Sequence, residues 1–255
     1  MNKKTKIVLA VTMLIVGTAL FPSCEKEVRQ VNFGNNAKVD GVNPCNPANY
    51  FDTIGIMHNV HLDAMLKKID KSPELTNENT LDVIKSLYHT YLVDNNFDTH
   101  AIDYVDSYLI KDIIQSDKVK LYVDSISDSL KILVHSDYAR CKNMIVRYEN
   151  KLQSNEILTN DELDQLLAFT SVVRHSYYYW QDYDCGTKRS PRTADIALAD
   201  GLGALEGASA LSAFGIWGAI GGAVCGAVLR SCLKSRELKA EDNPSDTTAT
   251  VNNNN

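Results

Sequence analysis

The chain has 255 residues, 44% of them hydrophobic and 23% charged, with a formal net charge of −6. This composition is globular rather than disordered, and the length is ample for one core, with room for an appendage. An acidic balance repels phosphate backbones, and no dense basic patch with interleaved aromatics offsets it, so no nucleic-acid partner is expected.

Lys3, Lys4 and Lys6 precede an unbroken apolar run over residues 7–21, the order of a basic n-region and an apolar h-region. At about fifteen residues the run is short of the ~20 that a spanning helix needs, and Pro22, Ser23 and Cys24 follow at once. Residues 1–23 therefore resemble a bacterial lipoprotein signal peptide. That likeness implies cleavage after Ser23 and alkylation of the Cys24 thiol by a diacylglyceryl group, although Phe21 and Pro22 depart from the usual lipobox. Glu25, Lys26 and Glu27 resemble the acidic export tags of Bacteroidetes surface lipoproteins. Cleavage would remove three lysines and no acid, taking the formal charge from −6 to −9. The expected address is the outer membrane, on its periplasmic or outer face, with membrane lipid reached through Cys24.

Past Cys24 the cysteines are Cys45, Cys141, Cys185, Cys225 and Cys232, an odd number for a compartment that permits oxidation. No CxxC occurs, so zinc is not indicated. Cys225 and Cys232, seven apart, would sit about 10 Å from one another on a straight helix, beyond disulfide reach. Cys141 and Cys185 remain a candidate pair, and small buried thiols are the default for most of the set.

Residues 24–50 mix Asn, Gly, Pro and charge without periodicity and read as a tether. Residues 51–184 then take helical spacing, predicting an all-α antiparallel helical bundle. Ile54, Met57, His61, Met65 and Ile69 mark a first helix ending before Pro73, and Leu81, Ile84, Leu87, Tyr88, Tyr91 and Leu92 mark a second. Ile102, Val105, Leu109 and Ile113 give a third; Val119, Tyr122, Ile126, Leu130 and Leu133 give a fourth. The fourth either continues through Tyr138, Cys141, Ile145, Tyr148 and Leu152 or breaks near Ser136 and Asp137. Thr159 to Glu162 is a capping box opening a helix through Leu163, Leu166, Leu167, Val173, Tyr177 and Trp180.

Candidate chemistry in this body is sparse, and no cofactor is expected. His58 and His61 have HxxH spacing near Asp63, but no HExxH or third ligand accompanies them, so no metal is predicted. The reading preferred for them is His58 capping backbone groups and His61 in a helix interface. Asp94, Asn96 and Asp98 mimic the start of a calcium loop, yet Thr99 stands where Gly is needed and Val105 where the bidentate Glu belongs, leaving an acidic turn. Tyr177, Tyr178, Tyr179 and Trp180 suggest a sugar-stacking platform, but consecutive residues point around a helix, which favours core packing.

Residues 185–194 form a linker with Lys188, Arg189 and Arg192, and residues 195–232 form a Gly/Ala-rich helix or helical hairpin. Residues 207–229 carry no charge and are long enough to span a bilayer. Gly218, Gly222 and Gly226 recur every fourth residue, and Gly203 with Gly207 adds a second pair. Such spacing makes a groove that another helix can approach closely, in lipid or in a buried hairpin. About half of these residues are Gly, Ala or Ser, so their drive to insert is modest. Gly201-Leu202-Gly203 lacks a preceding strand, and Gly207-Ala208-Ser209 lacks the last glycine of a nucleophile elbow, so neither predicts an enzyme. Residues 233–255 are polar and aperiodic and are expected to be disordered.

Gly55-Ile56-Met57-His58-Asn59 with Leu62-Asp63, Leu158-Thr159 to Glu162, Val173-Arg174-His175-Ser176 with Tyr179-Trp180, and Ala199-Asp200-Gly201 before the Gly/Ala stretch resemble a family of Bacteroidetes lipoproteins of uncharacterised activity. The Gly/Ala stretch resembles glycine-zipper segments of bacteriocin-like peptides. The likeness implies an envelope location and brings no activity. Three readings follow: a lipid-anchored interaction module with an unknown protein partner, an antibacterial or pore-forming factor acting through residues 207–229, and an enzyme with scattered catalytic residues.

Overall fold

A computed structural model describes residues 43–72, 79–103, 116–133, 137–183, 191–212 and 215–242. The signal segment 1–23, Cys24 and the Cys185 part of the linker lie outside the described residues, as does most of the predicted third helix.

The described elements are all helical. They run α1 (Asp52–Ile69), α2 (Thr80–Asp94), the single turn α3 (His100–Asp103), α4 (Asp117–Ile132), α5 (Tyr138–Gln153), α6 (Asn160–Tyr183), α7 (Pro191–Leu211) and α8 (Gly215–Asp242). Apolar residues at helical spacing bury one stripe of each outer helix. Ile84, Tyr88, Tyr91 and Leu92 do so on α2, and Val119, Val123, Ile126 and Leu130 on α4.

Local capping chemistry sets the starts. Ser116 accepts from the Lys118 amide at 3.2 Å and begins α4. Asp137 accepts from the Arg140 amide at 2.8 Å, so the predicted fourth helix is two helices, broken at Asp137. The capping box is formed: the Glu162 amide donates to Thr159 Oγ1 at 3.2 Å, and the Thr159 amide donates to Glu162 Oε2 at 2.8 Å. Glu162 Oε1 also accepts from Ser116 Oγ at 2.6 Å, fastening the start of α4 to the start of α6. That bond, the Thr159 amide and nearby Lys118 lower the Glu162 pKa against a small opposing effect of desolvation.

Packing is organised around α6, α7 and α8. α7 lies against both α6 and α8, α1 crosses α6 and α8, and α5 covers α6. Residues 203–209 of α7 and 222–229 of α8 are buried without a break. Burial on every side over residues 207–209 and 222–229 needs no polar face, which accounts for the absence of charge in those two stretches. Residues Ile216–Lys239 are long and apolar enough to cross a membrane, with mean hydropathy 1.5, yet 56% of that window is buried inside the protein.

Three predicted boundaries move. The tether ends earlier than residue 50, because Pro44, Cys45, Asn46 and Asn49 are buried and bonded into the core. The linker ends before 194, since α7 starts at Pro191, a residue suited to a first helical position, and Ala194 is buried. The disordered tail does not begin at 233: α8 runs to Asp242, buries Leu238 and pairs Lys239 with Asp70 at 3.4 Å.

Candidate functional site

The densest chemistry is a polar network inside the bundle, built on three consecutive residues of α6. Arg174, His175 and Ser176 are all buried, in a helix whose neighbours Val172, Val173 and Tyr177 are core residues. Consecutive helical residues fan out by about 100°, so each meets a different partner helix.

Arg174 faces α1 and α5. Its Nη2 donates to Asp52 Oδ1 at 2.6 Å and to Glu149 Oε1 at 3.0 Å, and its Nη1 donates to the Pro44 carbonyl. Glu149, fully buried on α5, also accepts from Asn46 Nδ2 at 2.6 Å and Asn49 Nδ2 at 2.7 Å. Asn46 returns its backbone amide to Asp52 Oδ2 at 3.1 Å. The segment entering the fold is thus pinned to α5 and α6, with Lys142 Nζ donating to the Asn43 carbonyl at 2.7 Å. Two carboxylates around one guanidinium form a charge-assisted cluster whose spare lone pairs are filled by amides.

His175 faces α1. Its Nε2 lies 3.0 Å from Asp52 Oδ1, and its ring packs where a methyl on Gly55 would overlap it, so Gly55 lets α1 and α6 meet. Desolvation lowers the His175 pKa despite the Asp52 bond, so the neutral ring donates through Nε2. Burial pushes Asp52 upward, but the bonds and charges of His175 and Arg174 carry it below the ordinary carboxylate value.

Ser176 faces α7 and donates to Asp200 Oδ2 at 2.5 Å. Ser231 of α8 donates to the same oxygen at 2.9 Å, and Trp180 Nε1 stands 3.4 Å away. His58 Nε2 is 3.6 Å from Asp200 Oδ2 and has no hydrogen-bond partner, while its Nδ1 meets Asn59 Oδ1 at 3.0 Å. His58 therefore does not cap backbone groups; it lies at the centre, and burial lowers its pKa to about 3. Asp200 is pushed the other way, up to about 7, by desolvation that three hydrogen bonds only partly offset. The contrast with Asp52 has a simple cause: Arg174 touches Asp52, and among the described residues no lysine or arginine touches Asp200.

His61 is in a helix interface as expected, its Nδ1 2.8 Å from the Tyr88 hydroxyl, with burial lowering its pKa to about 4. Among the described residues, the one group of three candidate metal ligands contains neither His58 nor His61. Tyr177, Tyr179 and Trp180 are core residues, and only Tyr178 is half-buried, so no stacking platform is presented. Asp94 to Asp98 form an exposed turn with Asn96 at φ 58°, and Asp98 caps the His100 amide at 2.9 Å.

Ligand atoms of Cys45, Asp52 and His175 lie within 4.8 Å of one another. The donor set does not suit a cation, because Cys45 is disulfide-bonded and the Arg174 guanidinium already occupies Asp52 Oδ1. Cys141, Cys225 and Cys232 are buried free thiols, so the candidate Cys141–Cys185 pair is not formed. Burial raises the thiol pKa of Cys225 to about 12 and of Cys232 further, which makes both inert at neutral pH.

The predicted glycine contact is made between α7 and α8. A methyl on Gly207 would overlap the Gly222 carbonyl, one on Gly222 the Gly207 carbonyl, and those on Gly203 and Gly226 would each overlap the other's carbonyl. The pairing of 203 with 226 and 207 with 222 makes the hairpin antiparallel. Gly218 is half-buried and lies outside these pairs. Arg230 closes the contact with a bidentate pair to Glu206 at 2.9 and 3.0 Å.

Gly55, Asn59, Arg174, His175, Ser176 and Asp200 were quoted above only within short shared motifs, His58 was weighed as a metal ligand or cap and Trp180 as a stacking or core residue, and the fold brings all of them into one network. Asn46, Asn49, Asp52 and Glu149 were not singled out. Glu149 was detectable as a charge at an apolar-face position, between Ile145 and Leu152. Comparison with protein-family models, curated proteins and solved structures finds no match.

Proposed function

We propose that this chain is a lipid-anchored protein of the bacterial cell envelope, exported through residues 1–23, acylated at Cys24, and carrying a helical body that engages a protein partner. The observation that carries the reading is the order Lys3, Lys4, Lys6, an uncharged apolar run, then Ser23 and Cys24. The Cys45 disulfide supports it, since such bonds persist in oxidising compartments. An interaction module fits better than an enzyme, because the candidate acid–base groups are sealed. Arg174, Glu149, His58 and Asp200 are each 0% exposed, and the cavity of about 160 Å³ beside Phe51, Ile54 and Ile216 touches none of them. The pore-forming reading requires α7 and α8 to leave the body, which Asp200, bonded to α6 and α8 at once, opposes.

Fractionation with and without Cys24→Ala tests the proposal. The substitution releases the protein into the soluble periplasm, and the intact mass of the wild type shows a diacylglyceryl-modified mature chain. A retained initiator methionine or a bare Cys24 thiol would overturn it. A second consequence follows from valence. An acylated sulfur cannot join a disulfide, and with Cys141, Cys225 and Cys232 free, Cys185 is the remaining cysteine for Cys45. Non-reducing peptide mapping then yields Cys45 linked to Cys185; a Cys24–Cys45 peptide excludes the anchor.

A further inference from the structure

Two hydrogen-bond acceptors face each other at the centre of the bundle. Asn59 donates its Nδ2 to the His175 carbonyl at 3.0 Å, which fixes the amide and turns its Oδ1 toward His58. His58 Nδ1, 3.0 Å from that oxygen, must therefore carry the ring hydrogen, so a neutral His58 presents a bare lone pair at Nε2. That nitrogen stands 3.6 Å from Asp200 Oδ2 and has no hydrogen-bond partner.

An ionised Asp200 would set a carboxylate against this lone pair. Both residues are 0% exposed, and the groups that donate to Asp200, the Ser176 and Ser231 hydroxyls and Trp180 Nε1, are all neutral. Asp200 Oδ1 has no partner at all, which suits a neutral carboxyl and leaves an anion poorly solvated. A proton on the carboxyl removes the charge and supplies the donor that His58 Nε2 lacks.

We infer that the folded protein holds one buried proton between Asp200 and His58, that this proton latches the α7–α8 hairpin to α1 and α6, and that its release on raising the pH loosens that seam. Burial raises the Asp200 carboxyl to about 7, so the release falls near neutrality. The proton passes to water and leaves a carboxylate on α7, which the His58 lone pair repels and which draws water into the seam. The surroundings hold no substitute cation. From α1 the facing titratable group is His58, on which His61 and His175 act in turn. Besides its neutral donors, α8 presents the Cys232 thiol, pushed up by burial and by Asp200. Glu206, further along α7, is already paired with Arg230, Asp52 of α1 is paired with Arg174, and no charge of α4, which also touches α7, acts on Asp200. The latch is internal to the bundle and holds whether or not Cys24 is acylated.

Trp180 is the reporter, because it is 5% exposed and its Nε1 stands 3.4 Å from Asp200 Oδ2. In full-length Trp217→Phe protein it is the remaining tryptophan. Its emission and its quenching by iodide are read from pH 5.5 to 9. The expected result is a red shift and an onset of quenching centred near pH 7, with helical circular dichroism unchanged. Adding Asp200→Asn, which keeps the size of the side chain and places an uncharged amide donor beside His58 at every pH, should hold the emission blue throughout. Nitrogen NMR of the histidine rings in the wild-type chain should find the His58 hydrogen on Nδ1 and a bare Nε2. A hydrogen on His58 Nε2, or an imidazolium at pH 6, overturns the inference, and this readout stands even where Asp200→Asn does not fold. A flat Trp180 profile overturns it too, as does a transition that persists in Asp200→Asn.

Discussion

The Arg174 network and the Gly207–Gly222 contact fasten the same core by opposite means. The first joins helices through buried charges bonded to one another, with Arg174 Nε and Asp200 Oδ1 left without a partner; the second removes side chains so that two backbones touch. Each uses one helix in common with the other, since Asp200 stands on α7 one turn before Gly203. The difference is in what each tolerates. A charge network fails when one member goes missing, whereas a glycine contact fails when anything is added.

The largest effect belongs to the network. Arg174→Met keeps the length of the side chain but leaves Asp52 and Glu149 buried side by side without their cation. Breaking a buried pair in this way costs about 3–5 kcal/mol, and denaturant unfolding should register it as a lower midpoint with unchanged slope. Replacing Glu149 and Arg174 together by Leu and Met should recover part of the loss, because only Asp52, which keeps the Asn46 amide and His175 Nε2, is then left without its cation. If the single variant costs no more than an ordinary surface change, the network is not a fastener.

Acid separates the members of the network next. His58 and His61 have folded-state pKa values near 3 and 4 because burial disfavours their cations, and His175 is lowered as well. Below pH 6.5 the unfolded chain takes up protons that these rings cannot, so their contribution is complete above that pH and is lost as the pH falls, by up to ~1.4 kcal/mol per pH unit for each ring. Asp200 has the reverse sign. Its folded pKa, raised to about 7, means the folded state holds an extra proton between pH 4 and 7, so its contribution is full below pH 4, is lost progressively as the pH rises to 7 and changes no further above it. Chemical denaturation across pH 4–9 should therefore show a maximum between about 6 and 7. Asp200→Asn should remove this opposing slope, so that the acid limb below pH 6.5 steepens and the small fall between pH 6.5 and 7 disappears; an unchanged profile would mean that Asp200 does not titrate in this range.

The two regions also differ in how far the sequence announces them. Gly203, Gly207, Gly222 and Gly226 are legible because a four-residue period is a local signal, and so is the Thr159–Glu162 box. The pairing of Asp52 with Arg174 spans 122 positions and that of Asn46 with Glu149 spans 103, and neither leaves a local periodic trace. The uncharged run left a buried hairpin and a membrane span open together, since burial by protein and burial by lipid select the same composition. The tail was misplaced because residues 233–242 are polar, yet Ser235 and Leu238 sit on the one face that α8 buries.

On the glycine side, Gly207→Ala or Gly222→Ala should cost about 1–3 kcal/mol, because the new methyl meets a backbone carbonyl that cannot turn aside. Thermal unfolding of the full chain reads this directly, and the two substitutions combined should cost less than their sum, since either one already separates the helices.

Gly218→Ala is the smallest effect and the sharpest control. It continues the four-residue period of Gly222 and Gly226 but sits half-buried near the start of α8, away from the Gly207–Gly222 pair. Exchanging a half-buried helical glycine for alanine removes conformational freedom from the unfolded chain and should stabilise the helix by up to about 1 kcal/mol. A loss equal to that of Gly207→Ala would extend the closed contact to the tip of the hairpin. The helix-packing role assigned from spacing to all five glycines would then hold at Gly218 as well.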